Sequence, residues 1–142
     1  MIYTKMTKKA IRICYDAHSK QLDKSGLPYV FHPYHLAELM DTEDSVCVAL
    51  LHDTVEDTSI TFEDLINEGF NDNVIEALKL LTHIDDTPYM EYIKKIKTNP
   101  LAVKVKLADL YHNSDLTRLD LSIHKIPPKI EIYKEAIKYL EN

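Results

Sequence analysis

Leu50-Leu51-His52-Asp53-Thr54-Val55-Glu56-Asp57 is the stretch on which the reading of this chain turns. A run of small and apolar residues (Val46, Val48, Ala49, Leu50, Leu51) leads directly into one imidazole and three carboxylates. On a continuous helix His52 and Glu56, and likewise Asp53 and Asp57, stand four residues apart and share neighbouring parts of one surface. Carboxylates avoid a core face unless they are paired or bind a metal. The His-Asp pair offers a nitrogen and an oxygen to a divalent ion, and Glu56 and Asp57 are placed to handle a water molecule.

Working outward, the apolar run reads as a helix from about Glu43 to Asp53 or slightly beyond, entered through Asp41 or Thr42 as N-cap. Before it, Pro33 begins a helix to Met40 that buries Leu36, Leu39 and Met40, with His32 at its start. A first helix, Thr4 to Leu22, carries the stripe Ile11, Cys14, Tyr15 and His18 and ends at the turn-rich Asp23-Lys24-Ser25-Gly26-Leu27-Pro28. Downstream, Thr61 and Asp64 form a capping box for a short helix stopping at Gly69. Asn71–Leu81 gives the next helix. Helices near Pro88–Lys97 and Pro100–Ser114 follow cap-then-proline starts, and a last one runs from Pro127-Pro128 through Leu140. Val103 to Leu107 alternates like a strand, but its flanks favour helix. The expected fold is all-α, a bundle of about seven or eight helices in a single domain spanning 1–142.

Only two glycines and six prolines in 142 residues argue against an all-β architecture. No apolar run approaches the roughly 18 residues of a membrane span, and no apolar segment follows Lys5, Lys8 and Lys9 as in a secretory signal. A formal charge of -6 argues against a general nucleic-acid binder, which needs a basic surface. Cys14 and Cys47 sit inside apolar helical patterns and are expected to be buried free thiols, so the expected location is the cytoplasm. Only Arg12 and Arg118 are available for bidentate phosphate contacts.

Two further clusters carry chemistry. His32 opens its helix on an aromatic-rich connection. Asp109, His112 and Asn113 stand at i, i+3 and i+4 on one face of a second apolar helix. Together His32, His52, Asp53 and Asp109 make two nitrogens and two carboxylates from three helices, suited to a borderline divalent ion such as Mn²⁺, Fe²⁺ or Zn²⁺. Asp109 is also placed to pair with Lys106. His18 and His35 are expected beside the site or on the surface, and His83 and His124 on the surface. Tyr89, Tyr92, Tyr133 and Tyr139 are expected to pack at the edge of the core.

Five segments resemble HD-domain metal-dependent phosphohydrolases, especially the alarmone hydrolase domain of the RelA/SpoT family and its small stand-alone members. They are Lys24-Ser25-Gly26 with Pro28-Tyr29; His32-Pro33; Leu51 to Thr58; Thr61 to Leu65 with Gly69-Phe70; and Val105 to Asp109 with His112-Asn113. The resemblance implies that His32, His52, Asp53 and Asp109 bind one metal, usually Mn²⁺, and that Glu56 and Asp57 position the attacking water. It implies that Lys24, Ser25 and Asn113 hold a nucleotide and its phosphates, with Tyr29 and Leu119 near it. The implied reaction is hydrolysis of the 3′-pyrophosphate of guanosine tetra- or pentaphosphate. The family commonly carries a basic residue, packed on the guanine, where this chain has Asp23; Lys20 stands where a glycine is frequent, and Ser114-Asp115-Leu116 replace a common Arg or Thr. These departures leave two other readings, a phosphohydrolase of another nucleotide or phosphorylated dinucleotide and a non-catalytic nucleotide-binding module.

Overall fold

The computed structural model describes residues 1–84 and 86–142. Among them are nine α-helices: α1 (Lys5–His18), α2 (Phe31–Glu38), α3 (Glu43–Leu51), α4 (Thr54–Asp57), α5 (Phe62–Asn67), α6 (Asp72–Leu81), α7 (Tyr89–Ile96), α8 (Pro100–Asn113) and α9 (Ile130–Glu141), with a 3₁₀ turn at Leu116–Arg118. The described residues contain no strand, only one isolated bridge between Leu22 and Pro28. Val103 to Leu107 is helical, within α8.

Helix α3 is the centre of the bundle. Every residue from Ser45 to Leu51 is buried, as expected of a segment apolar on all sides. Helices α1, α2, α6 and α8 pack around it. Leu36, Leu50, Leu51, Leu65 and Leu78 are all fully enclosed, and truncating one such leucine to alanine costs about 2–5 kcal/mol. Capping boxes start α1 at Thr4, α3 at Thr42 and α5 at Thr61. Asn99 caps α8 ahead of Pro100, whereas α7 starts at Pro88 with no side-chain cap.

Three local readings change. The stripe of α1 is Thr7, Ala10, Cys14 and His18; Tyr15 lies off that face and is 61% exposed. Helix α2 buries His32, Pro33, Leu36 and Ala37 and ends at Glu38. Met40 is then buried, while Leu39, the C-cap beside the buried face, is 59% exposed. Most consequentially, α3 stops at Leu51. His52 is its C-cap, Asp53 leaves helical geometry (φ -106°, ψ 1°), and the single turn α4 follows. The break takes His52 and Asp53 out of one continuous helix with Glu56 and Asp57. His52 is buried, while Glu56 and Asp57 are exposed.

Candidate metal centre and adjoining cleft

His52 closes α3 by returning its own ring to the helix: Nδ1 lies 2.7 Å from the Ala49 carbonyl, to which it donates. In the neutral ring that bond places the hydrogen on Nδ1 and the lone pair on Nε2. Nε2 is buried with no hydrogen-bond partner of its own, yet it lies 3.2 Å from Asp53 Oδ2 and 3.6 Å from Asp109 Oδ1. His32, near the start of α2, places Nε2 2.9 Å from the same Asp109 oxygen. Its Nδ1 is 2.7 Å from Nδ1 of His112. Among the described residues, ligand atoms of His32, His52 and Asp109 lie within 4.8 Å of one another, and Asp53 adjoins them through His52.

Each carboxylate of the cluster is held from outside. Asp109 accepts from Asn113 Nδ2 at 3.0 Å through Oδ1 and from the Lys106 ammonium at 2.9 Å through Oδ2. Asp53 Oδ2 accepts from the Tyr29 hydroxyl. Lys106 is itself enclosed, with its ammonium near the rings of Tyr92 and Tyr89.

The electrostatics follow from burial and charge together. Burial would raise Asp109, but the Lys106 ammonium, the His32 hydrogen bond and the nearby His52 ring hold it well below the carboxylate range. Asp53 is likewise opposed by burial and brought to about 2 by the His52 charge, with further help from Tyr29. Burial lowers His32. At His52 burial is overcome, chiefly by the Asp53 charge, and the ring is raised well above its ordinary value. The two carboxylates, Asp109 buried and Asp53 part-buried, set local negative charge opposite His52 Nε2. An unpartnered imidazole nitrogen facing that charge fits a divalent ion with mixed N and O ligands.

The α1–α2 loop is built on Asp23. Its Oδ1 accepts the backbone N–H groups of Ser25 (2.8 Å) and Leu27 (3.0 Å), and Gly26 takes φ +81° to close the turn. The expected antagonist of a polyanion is therefore a loop-forming residue, one oxygen of which is already occupied. Ser25 Oγ donates to the Arg118 carbonyl at 2.8 Å, tying this loop to the 3₁₀ turn.

Loop and turn enclose a cleft of about 440 Å³ that reaches His32. Lys24, Ser25, Tyr29, Asn113 and Leu119 line it, as does Asp57. Burial, then the charges of Asp53 and Glu56, raise the Asp57 carboxyl. Glu56 is not among the cleft residues; its Oε1 accepts the backbone N–H of His83 at 2.7 Å. His83 is half-buried and stacked on Tyr92, with ring centroids 4.6 Å apart, in contrast to the surface position expected. His18 is buried beside Tyr29, and His35 is exposed and stacked on His112.

Sequence reasoning missed Lys129 and Tyr133 of the cleft wall and the His32–His112 contact. Arg118, one of two arginines, also lines the cleft and donates to the His112 carbonyl at 2.8 Å. A broader groove of about 740 Å³ runs along the first turns of α3 and α8, but Glu43, Asp44 and Glu76 line it without any lysine, arginine or histidine. It offers nothing to an anionic substrate.

The profile of the HD domain matches residues 10–109, and the chain belongs to the HD-domain family. It is 33% identical over 118 residues to a guanosine-3′,5′-bis(diphosphate) 3′-pyrophosphohydrolase of Aquifex aeolicus, covering 75% of this chain and 17% of that protein. It is 33% identical over 142 residues to a probable GTP pyrophosphokinase of Mycobacterium leprae (91% of this chain, 17% of that protein). The bifunctional (p)ppGpp synthase/hydrolase SpoT of Escherichia coli is 29% identical over 124 residues (77% and 18%). The chain thus spans under a fifth of the length of these relatives. In fold it is similar to a solved metazoan ortholog of SpoT described as hydrolysing ppGpp, with a TM-score of 0.73 and 21% identity over 99% of this chain and 87% of that one.

Proposed function

We propose that this chain is a metal-dependent phosphohydrolase that removes the 3′-pyrophosphate of guanosine tetra- or pentaphosphate. The observation that carries the reading is a buried His32–His52–Asp109 cluster, joined by Asp53, at a cleft whose wall carries Lys24, Arg118 and Lys129. His32, His52, Asp53 and Asp109 would hold one divalent ion, Mn²⁺ by resemblance. When bound, that ion supplies Lewis acidity toward a phosphoryl oxygen and lowers the pKa of water.

The protein's own groups supply the rest. Asp57, raised by burial and neighbouring acids, stands at the cleft as the proton acceptor for water. Glu56 anchors the segment after α6 through the His83 amide and sets the charge beside Asp57. Lys24, Ser25 and Asn113 hold phosphate oxygens, and Tyr29 borders the nucleotide. In the reaction, the water oxygen bonds to the phosphorus attached at O3′, the P–O3′ bond breaks, and O3′ leaves with a proton as pyrophosphate departs. Residues 1–142 act as a single domain in the cytoplasm, on a small-molecule nucleotide rather than on nucleic acid or membrane. Among the described residues no helix is long and apolar enough to cross a membrane.

Asp23 supports a second reading, in which the same chemistry serves another nucleotide, because no cation stands there to stack on guanine. A release assay on Mn²⁺-loaded protein against a nucleotide panel separates the two. Pyrophosphate from the alarmone is expected. Orthophosphate from a different nucleotide alone would transfer the assignment to that substrate. Absence of turnover with metal bound would leave a nucleotide-binding module.

A further inference from the structure

Asp115 caps the 3₁₀ turn that follows α8, Arg118 ends it, and both line the cleft. The turn is fastened at three points. The Asp115 carbonyl accepts from the Arg118 amide at 3.2 Å, and the Arg118 carbonyl accepts from Ser25 Oγ at 2.8 Å. The His112 carbonyl accepts from Arg118 Nη1, also at 2.8 Å. Side chains rooted in a turn held this way have little freedom left to lose when a ligand arrives.

Each of these side chains is only partly used. Asp115 Oδ1 accepts from the Thr117 amide at 3.0 Å and from the Thr117 hydroxyl at 2.6 Å, while no group among the described residues donates to Oδ2. A guanidinium carries five N–H donors, and Arg118 commits only Nη1 to the His112 carbonyl. Asp23 and Asp115 line the same cleft, yet Arg118 forms no ion pair among the described residues. A phosphate matches this corner poorly, because its oxygens only accept and the two carboxylates repel it. A ligand edge with an acceptor beside donors matches it well. Guanine has such an edge: O6 accepts, and N1–H and the N2 amine donate. Hypoxanthine lacks the N2 amine, and adenine carries a donor amine where guanine carries O6.

We propose that Arg118 and Asp115 are specificity-determining residues that read the base of the nucleotide. Arg118 donates to guanine O6, and Asp115 Oδ2 accepts from N1–H and the N2 amine. This rests on the reading of the cleft as the site of a guanosine alarmone, and it supplies from the 3₁₀ turn a base contact that Asp23 does not. The pair discriminates by count: guanosine satisfies both side chains in full, inosine loses one donor to Asp115, and adenosine sets an amine against the Arg118 donors.

The test is steady-state kinetics of the Mn²⁺-loaded full chain on the 3′,5′-bisdiphosphates of guanosine, inosine and adenosine, after circular dichroism has shown native helicity in each variant. Arg118→Lys keeps the charge and removes the donor fork. Asp115→Asn keeps an oxygen for the Thr117 amide and replaces Oδ2 with a donor. Wild type is expected to prefer guanosine over inosine roughly 10-fold in kcat/KM. Arg118→Lys should raise KM for the guanosine and inosine compounds roughly 10- to 100-fold, with kcat little changed and the adenosine compound unaffected. Asp115→Asn should bring the guanosine-to-inosine ratio close to one. An equal KM change for all three compounds in Arg118→Lys would make Arg118 a phosphate contact and overturn its role at the base. An unaltered guanosine-to-inosine ratio in Asp115→Asn, or the absence of any such preference in wild type, would overturn the role of Asp115 while leaving the hydrolysis intact. A wild-type protein that turns over none of the three compounds would overturn the proposed function, and the base contacts with it.

Discussion

The Tyr29 hydroxyl donates a hydrogen bond to Asp53 Oδ2, joining a residue expected to face the nucleotide to one expected to face the metal. Burial, followed by the Asp53 charge, raises the phenol well beyond its ordinary value, so it remains a donor across the working pH range. Tyr29→Phe keeps the ring beside His18 and His32 and removes the donor. Metal affinity should fall roughly 10-fold or more, while KM at saturating metal changes little. The paired measurements are a metal titration and steady-state kinetics. A large KM effect with unchanged metal binding would make Tyr29 a substrate contact alone.

Glu56 and Asp57 are separable by amide substitutions. Glu56→Gln retains a carbonyl oxygen for the His83 amide and removes the charge beside Asp57. Asp57→Asn removes the proton acceptor at the cleft. Asp57→Asn should lower kcat by roughly 10²- to 10⁴-fold with metal still bound, and Glu56→Gln by a smaller factor. Equal losses would mean that Glu56 also handles the water directly.

Asp23 holds its loop through one oxygen. Asp23→Asn keeps an acceptor for the Ser25 and Leu27 amides and removes a negative charge from the cleft, so KM for a polyanionic nucleotide should fall. Asp23→Ala leaves both amides without that acceptor and should cost about 1 kcal/mol or more of stability. Denaturant melts and KM values of the two variants check both statements.

Cys14 tests the burial of the α1–α3 interface. Burial, with a smaller effect of Asp53, pushes its thiol from the ordinary 9.0 to about 12. The folded chain therefore keeps this proton where the unfolded chain loses it. Stability is fully present below pH 9 and falls between pH 9 and 12, by about 1.4 kcal/mol per pH unit for this group. Denaturant unfolding at several alkaline pH values should show a shallower decline in Cys14→Ala than in wild type. Parallel curves would mean that the thiol titrates normally.

The bundle was legible because its signals are local: the Thr42 and Thr61 caps, Asn99-Pro100 and the apolar run before His52 each act within one turn. The break after Leu51 was not, since nothing in Asp53-Thr54 forbids helix. It accompanies a long-range contact: His52 Nε2 lies 3.6 Å from Asp109 Oδ1, 57 positions away in the chain, with Asp53 Oδ2 on its other side. His32, His52 and Asp109 were visible as residue types and meet as expected. The groups that steady them were harder to read. The His32–His112 contact, for one, spans 80 positions in the chain. The Arg118 carbonyl accepts from the Ser25 hydroxyl, 93 positions away.

The most direct test of the account is hydrolysis of the guanosine tetraphosphate alarmone in H₂¹⁸O by Mn²⁺-loaded wild-type protein and by Asp53→Ala, with products resolved by mass spectrometry. The expected result is pyrophosphate carrying one ¹⁸O from wild type, an unlabelled nucleotide product, and no release from Asp53→Ala. Label in the nucleotide product, or undiminished release by Asp53→Ala, would contradict it.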